Sequence, residues 1–209
     1  MKMNLPNKLT VLRLCLVPVV MLIGFLPSSV IPFYLSCLIC AILFIGTAIT
    51  DMLDGKIARK YGLITDFGKF LDPIADKFMV IGAMFVILCK FQNLRGLMVA
   101  SLIIVIFREF AVTSIRLVVS TGEGVVVAAN SLGKIKTVSQ IVFVATALLE
   151  PVVQLAARLV VGLIKGETPV WRTDIVVLTW LAMLFMIVMT VWSGANYIKS
   201  YWKFIDTEK

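Results

Sequence analysis

Apolar residues fall into six runs along the chain, at positions 9–25, 31–50, 70–88, 97–119, 135–149 and 175–193. Each is close to the roughly 20 residues that cross a ~30 Å hydrocarbon layer as a helix. Turn signals such as Leu26-Pro27-Ser28-Ser29 and Gly122-Glu123-Gly124 punctuate them. The pattern predicts an all-α integral membrane protein, a bundle of six transmembrane helices. The stretch 152–164 is apolar but broken by Gln154 and Arg158 and is short for a crossing. It is expected to continue the fifth run, kinked or restarted at Pro151 and lying partly at the interface. The first run follows Lys2 and Lys8 and has the outline of a signal peptide. Arg13 within it, and the lack of an A-x-A-like site, predict a retained first helix instead.

Composition excludes a soluble domain: of 209 residues, 60% are hydrophobic and 15% charged, against about 45–50% and about 25% in soluble domains. One compact membrane domain over residues 1–209 is expected. Lys and Arg exceed Asp and Glu by 20 to 12, a net charge of +8. Placing both termini inside leaves only Lys90, Arg95, Arg158, Lys165 and Arg172 outside, so the other 15 of the 20 cations lie on the inner side. That asymmetry predicts both ends in the cytoplasm. The excess of positive charge suits anionic lipids or phosphorylated substrates; no basic, aromatic module for nucleic acid is present. Cys37 and Cys40 form a C-x-x-C, but all four cysteines sit in or directly beside apolar runs, which favours packing over redox chemistry. Trp171, Trp180, Trp192, Tyr197, Tyr201 and Trp202 are expected to form an interfacial belt around the sixth run, and Glu123 to be a loop charge.

The chain has no histidine, so imidazole bases and His-metal sites are excluded and acid–base or metal chemistry falls to Asp and Glu. Five of those 12 acids, Asp51, Asp54, Asp66, Asp72 and Asp76, lie within the 26 residues from 51 to 76. On a helix Asp54 lies about 60° from Asp51, with Gly55 and Ala58 on the same stripe. Asp72 and Asp76 are one turn apart on one face. If the two helices meet, four carboxylates converge beside a strip with almost no side chain, where a ligand can approach the backbone. Four anions at a membrane boundary repel one another strongly unless something positive sits among them. Two divalent cations balance the charge, and an all-oxygen ligand set favours Mg²⁺ first and Mn²⁺ second. Such a site suits phosphoryl transfer.

Blander readings account for single residues. Asp72-Pro73 reads as an N-cap followed by proline at N1, and Asp66 after Thr65 as a cap or loop charge. Asp51 and Asp54 could simply end the second helix, with Arg59 and Lys60 as snorkelling cations. None explains the whole spacing.

Asp51, Asp54, Gly55, Ala58, Arg59, Gly68, Asp72 and Asp76 fill every fixed position of D-x-x-D-G-x-x-A-R-x₈-G-x-x-x-D-x-x-x-D. This resembles the signature of the CDP-alcohol phosphotransferase family, integral membrane enzymes with six transmembrane helices. The resemblance implies that Asp51, Asp54, Asp72 and Asp76 hold the metals, with Asp76 also the general base. It implies that Gly55, Ala58, Arg59 and Gly68 shape and contact the CDP group of a CDP-activated lipid. Small residues permit close approach, Arg matches phosphate geometry, and a carboxylate beside the metals can accept a proton. A homodimer is also among the expectations for a compact member.

For the acceptor, three looser stretches are similar to bacterial family members that use sn-glycerol 3-phosphate with CDP-diacylglycerol. They are Pro6-Asn7-Lys8-Leu9-Thr10-Val11-Leu12-Arg13, Arg108-Glu109-Phe110 with Arg116, and Gly133-Lys134-Ile135-Lys136-Thr137. Arg108 and Arg116 lie two turns apart, about 80° around a helix, and are costly in an apolar segment without an anion. With Lys134 and Lys136 they are expected to form a basic pocket for a phosphate-bearing acceptor. The contrary reading pairs Arg108 with Glu109 or a motif carboxylate and leaves the lysines to lipid headgroups. Rival functions are a family member with a cardiolipin-type, serine or inositol acceptor and, from another class, a divalent-cation transporter. A transporter tends to place charge near the midplane on broken helices in repeated halves; here the acids cluster at one edge and no internal repeat is seen.

Overall fold

The computed structural model describes residues 4–62, 65–122, 131–165 and 176–202. Among them the chain forms six α-helices, α1 (Leu5–Phe25), α2 (Phe33–Tyr61), α3 (Asp66–Lys90), α4 (Arg95–Gly122), α5 (Ser131–Lys165) and α6 (Val177–Tyr201), with a short 3-10 turn at Gln92–Leu94 and no strands. The helices contain the first, third, fourth and fifth apolar runs whole, α2 takes up the second from Phe33 and α6 the sixth from Val177. By length and composition α1, α2 as far as Ala58, α5 and α6 are apolar enough to cross a membrane. α3 and α4, not among those four, carry most of the charged residues discussed below.

Local chemistry sets several helix ends. Asn4 caps α1 through its side chain, accepting from the Asn7 backbone N–H at 3.1 Å, and Pro6 sits in the first turn where its missing N–H costs nothing. α2 stops at Gly62, whose φ of +63° is the left-handed conformation that glycine adopts freely; its N–H closes onto the Ala58 carbonyl. α6 lacks a cap of its own. Glu150 of α5 supplies one, accepting from the backbone N–H groups of Leu178 (3.1 Å) and Thr179 (2.8 Å) and from the Thr179 hydroxyl (2.7 Å).

Three expectations about helix ends are corrected. Asp72 is not a cap: Thr65 caps α3, accepting from the Gly68 N–H at 3.1 Å, so Pro73 lies inside the helix and Asp66 is a first-turn acid facing the favourable end of the dipole. Asp51 and Asp54 do not end a helix, because α2 continues to Tyr61. The stretch 152–164 does continue the fifth run, but without the restart offered at Pro151: α5 is one helix of 35 residues that passes through the proline, whose ring removes one backbone bond.

α1 packs on α2 and α3, α3 on α4 and α5, α2 on α5, and α6 on α4 and α5. α1 and α3 run parallel and close together where glycine makes room. A Cβ on Gly24 would lie 2.4 Å from Val86 Cγ1, and one on Gly82 would lie 3.0 Å from Val17 Cγ1. The Ser36 hydroxyl ties α2 antiparallel to α1 through the Ile23 carbonyl (2.9 Å). The core between the helices is filled by Phe44, Met84, Ile87, Phe143, Met183 and Met186, all essentially inaccessible. Cys37 and Cys40 are buried there as free thiols, while Cys15 and Cys89 are exposed, in keeping with a packing role. Trp180, Trp192 and Trp202 face outward as a belt requires, but Tyr197 is buried between helices. Trp171 and Glu123 lie outside the described residues.

Candidate active site

The parallel pairing of α1 with α3 and the antiparallel return of α2 bring the start of α1, the end of α2 and the start of α3 to one end of the bundle. There the side chains of Asp51, Asp54 and Asp76 meet around one cation, which belongs to the protein. The guanidinium of Arg13 places Nη1 2.6 Å from Asp51 Oδ1 and 3.0 Å from Asp76 Oδ1, and Nη2 2.7 Å from Asp54 Oδ2. Arg13 is 1% exposed and Asp54 8%. The expectation that something positive must sit among the carboxylates is met by Arg13, a residue whose place in the site its own stretch of sequence does not announce. Asp72, the fourth acid, accepts from the Thr10 hydroxyl at 2.7 Å.

Asn7, Thr10 and Arg13 thus form a polar stripe at i, i+3 spacing along α1, each member turned to the site. Asn7 Oδ1 accepts from the Thr65 hydroxyl at 3.0 Å. A Cβ on Gly68 would lie 3.1 Å from that same oxygen, so the motif glycine is buried at a close approach of α1 to the start of α3. Gly55 and Ala58 are half-buried on α2. The side chain of Arg59 lies outside what the structure describes.

Among the described residues no three carboxylates are drawn together as a ready metal site; Arg13 holds that place. The donor set nevertheless fits a hard divalent ion in its chemistry. It is oxygen-only and anionic, and three of its members already converge on a single cationic group.

Next to the aspartates opens a cavity of about 700 Å³, with Asp72, Asp76 and Lys77 on the α3 side and Arg108, Arg116, Lys134 and Lys136 facing them from α4 and α5. The four expected acceptor-binding cations therefore share one cavity with two motif aspartates. They are not equivalent. Glu109 pairs with both Arg108 (3.2 Å) and Lys136, and Arg108 also donates to the Ser193 hydroxyl at 2.7 Å, so the contrary reading holds for the pairing of Arg108 with Glu109. Arg116 and Lys134 are exposed. Lys77, which donates to Thr113 at 2.7 Å, is a fifth cation that sequence reasoning did not single out. Five cations against Glu109, Asp72 and Asp76 leave the cavity with positive charge to spare. Tyr197 Oη, Gln140 Nε2 and Arg108 Nε, on residues of its wall, are buried without a protein partner.

Helices of membrane-spanning length and composition here carry clustered aspartates that open onto a cavity with an excess of cations, a setting whose charge suits a phosphorylated ligand. The chain belongs to the CDP-alcohol phosphatidyltransferase family, whose model matches residues 3–192. It is similar to the CDP-diacylglycerol–glycerol-3-phosphate 3-phosphatidyltransferase of Bacillus subtilis (strain 168), at 42% identity over 213 residues covering 98% of each chain. Proteins of the same name from Yersinia enterocolitica (31% over 206 residues, 97% of each chain) and Rickettsia felis (39% over 137 residues, 66% of this chain and 70% of the relative) are also similar to it.

Proposed function

We propose that the protein transfers the phosphatidyl group of CDP-diacylglycerol to sn-glycerol 3-phosphate, giving phosphatidylglycerol phosphate and CMP. The observation that carries this reading is the single cavity joining Asp72 and Asp76 to Arg108, Arg116, Lys134 and Lys136. It offers a carboxylate for a hydroxyl and cations for a phosphate on one acceptor molecule. Inositol, which carries no charge, makes no use of those cations, and serine offers them one carboxylate beside an ammonium where glycerol 3-phosphate offers a phosphate and no opposing charge.

In this reading the lipid tails stay in the bilayer and the diphosphate lies over Gly55, Ala58, Arg59 and Gly68. Asp51, Asp54, Asp72 and Asp76 would hold divalent metal, Mg²⁺ or Mn²⁺, which when bound neutralises charge on the diphosphate. Asp76 takes the proton from the 1-hydroxyl of glycerol 3-phosphate. That oxygen forms its bond to the phosphatidyl phosphorus as the bond from phosphorus to the CMP oxygen breaks. Arg116 and Lys134 meet the acceptor phosphate, while Glu109 keeps Arg108 and Lys136 in position for it.

The topology that suits this chemistry has six crossings, both termini and the aspartate end on the cytoplasmic side of a bacterial membrane, as the distribution of Lys and Arg favours. The test of the assigned base is Asp76→Asn: turnover should fall to background while CDP-diacylglycerol still binds. Turnover near that of the unaltered protein removes Asp76 from the role.

A further inference from the structure

Arg13 stands where charge balance calls for a bound cation, and it is held there by more than burial. Its two terminal nitrogens contact three carboxylates from two helices at 2.6–3.0 Å. Its Nε is buried with no partner, so the fork is satisfied at its tips and not at its base. An unpaired buried N–H is unfavourable, and the orientation persists because the carboxylates attract the tips more strongly.

We propose that Arg13 is the resident counter-ion of Asp51, Asp54 and Asp76 and competes with the divalent ion for them. Ion loading is then an exchange in which the guanidinium leaves the carboxylates as the metal arrives. This rests on the reading that the aspartates hold divalent metal.

The physical ground is that the same oxygens cannot serve both cations well. A divalent ion of the Mg²⁺ type sits about 2.1 Å from its ligand oxygens. A guanidinium nitrogen retained within 3.0 Å of those oxygens would be only a few ångströms from the metal in a partly buried site, where like charges repel strongly. The arrangement also gives the metal-free protein a use for Arg13, since without it the carboxylates would face one another uncompensated at the end of the bundle. Arg13 is thus a positioning residue for the metal-free cluster and a brake on metal binding.

The experiment is a Mn²⁺ titration of the purified full-length protein in detergent, without substrate, read by the electron paramagnetic resonance signal of free Mn²⁺. Melting temperatures are recorded with and without the ion. Arg13→Gln should bind Mn²⁺ at least tenfold more tightly than the unaltered protein, melt lower without metal, and gain more from adding it. Arg13→Lys keeps the charge but loses the fork and should fall between the two.

Equal or weaker Mn²⁺ binding by a folded Arg13→Gln would overturn the proposal and leave Arg13 as a prop for the carboxylates. Should Arg13→Gln fail to melt cooperatively, Arg13→Lys decides: tighter binding than the unaltered protein supports exchange, equal or weaker binding overturns it. Absence of Mn²⁺ binding by every form overturns the metal reading itself, and the competition with it.

Discussion

The hydroxyl of Thr10 donates to Asp72 Oδ1 at 2.7 Å, joining α1 to α3 across 62 positions of sequence. It lies at hydrogen-bond distance from the Pro6 carbonyl as well, at 3.2 Å, but the shorter contact is the one that orients a motif carboxylate. Thr10→Val keeps the shape and removes the donor. It should cost about 1 kcal/mol of stability and lower kcat more than it raises either KM, with Thr10→Ser restoring most of the loss. Unchanged kcat in Thr10→Val would mean that Asp72 needs no help from α1.

Glu109 pairs with two cations in the cavity wall and is only partly buried there, so its loss should cost less than the ~3–5 kcal/mol of breaking a fully buried pair. Glu109→Gln retains some hydrogen bonding and should lose somewhat less. Because the change frees Arg108 and Lys136 for an external anion, inorganic phosphate should raise its melting temperature more than that of the unaltered protein. Equal phosphate effects in the two proteins would show that Glu109 does not hold these cations back from an anion in the cavity.

Arg116 is exposed on the cavity wall and is paired with no carboxylate in the described residues. Arg116→Ala should therefore raise the KM for glycerol 3-phosphate by roughly tenfold, the scale of one charge-assisted hydrogen bond, with little change in the KM for CDP-diacylglycerol. Equal effects on both substrates would assign it a structural role.

Two glycines make opposite stability predictions. A Cβ on Gly24 would lie 2.4 Å and 3.0 Å from Cγ1 and Cβ of Val86, the latter fixed to the backbone of α3, whereas a Cβ on Gly46 meets nothing within 4 Å. Gly24→Ala should destabilise by about 1–3 kcal/mol through overpacking. Gly46→Ala, inside α2, should be stabilising by about 0.5–1 kcal/mol. Thermal melts in one detergent compare the two directly, and a destabilised Gly46→Ala or an unaffected Gly24→Ala would contradict the packing described.

The helices were legible because apolar runs of membrane length declare themselves, and the aspartates because scarce charge at fixed spacing stands out. What the sequence hid was partnership over distance. Arg13 reads locally as a stray cation in an apolar run; only the parallel pairing of α1 with α3 reveals that it faces Asp76, and only the return of α2 that it faces Asp51 and Asp54. The signal available was the spacing of Asn7, Thr10 and Arg13, the polar positions three apart within the first helix. Asp72-Pro73 misled for the opposite reason. Its local preference for a cap is real, but Thr65 takes the cap seven residues earlier and the helix absorbs the proline. Glu109 followed Arg108 in plain view, yet its second partner, Lys136, comes from α5 and became visible only with the fold.

The most direct test of the account is CMP release from CDP-diacylglycerol by the purified protein, measured with and without Mg²⁺ or Mn²⁺ against a panel of acceptors: sn-glycerol 3-phosphate, glycerol, serine, inositol and phosphatidylglycerol. The account predicts metal-dependent release with sn-glycerol 3-phosphate, accompanied by phosphatidylglycerol phosphate, and little with the others. Release driven equally well by a neutral acceptor, or by phosphatidylglycerol in place of glycerol 3-phosphate, would contradict it.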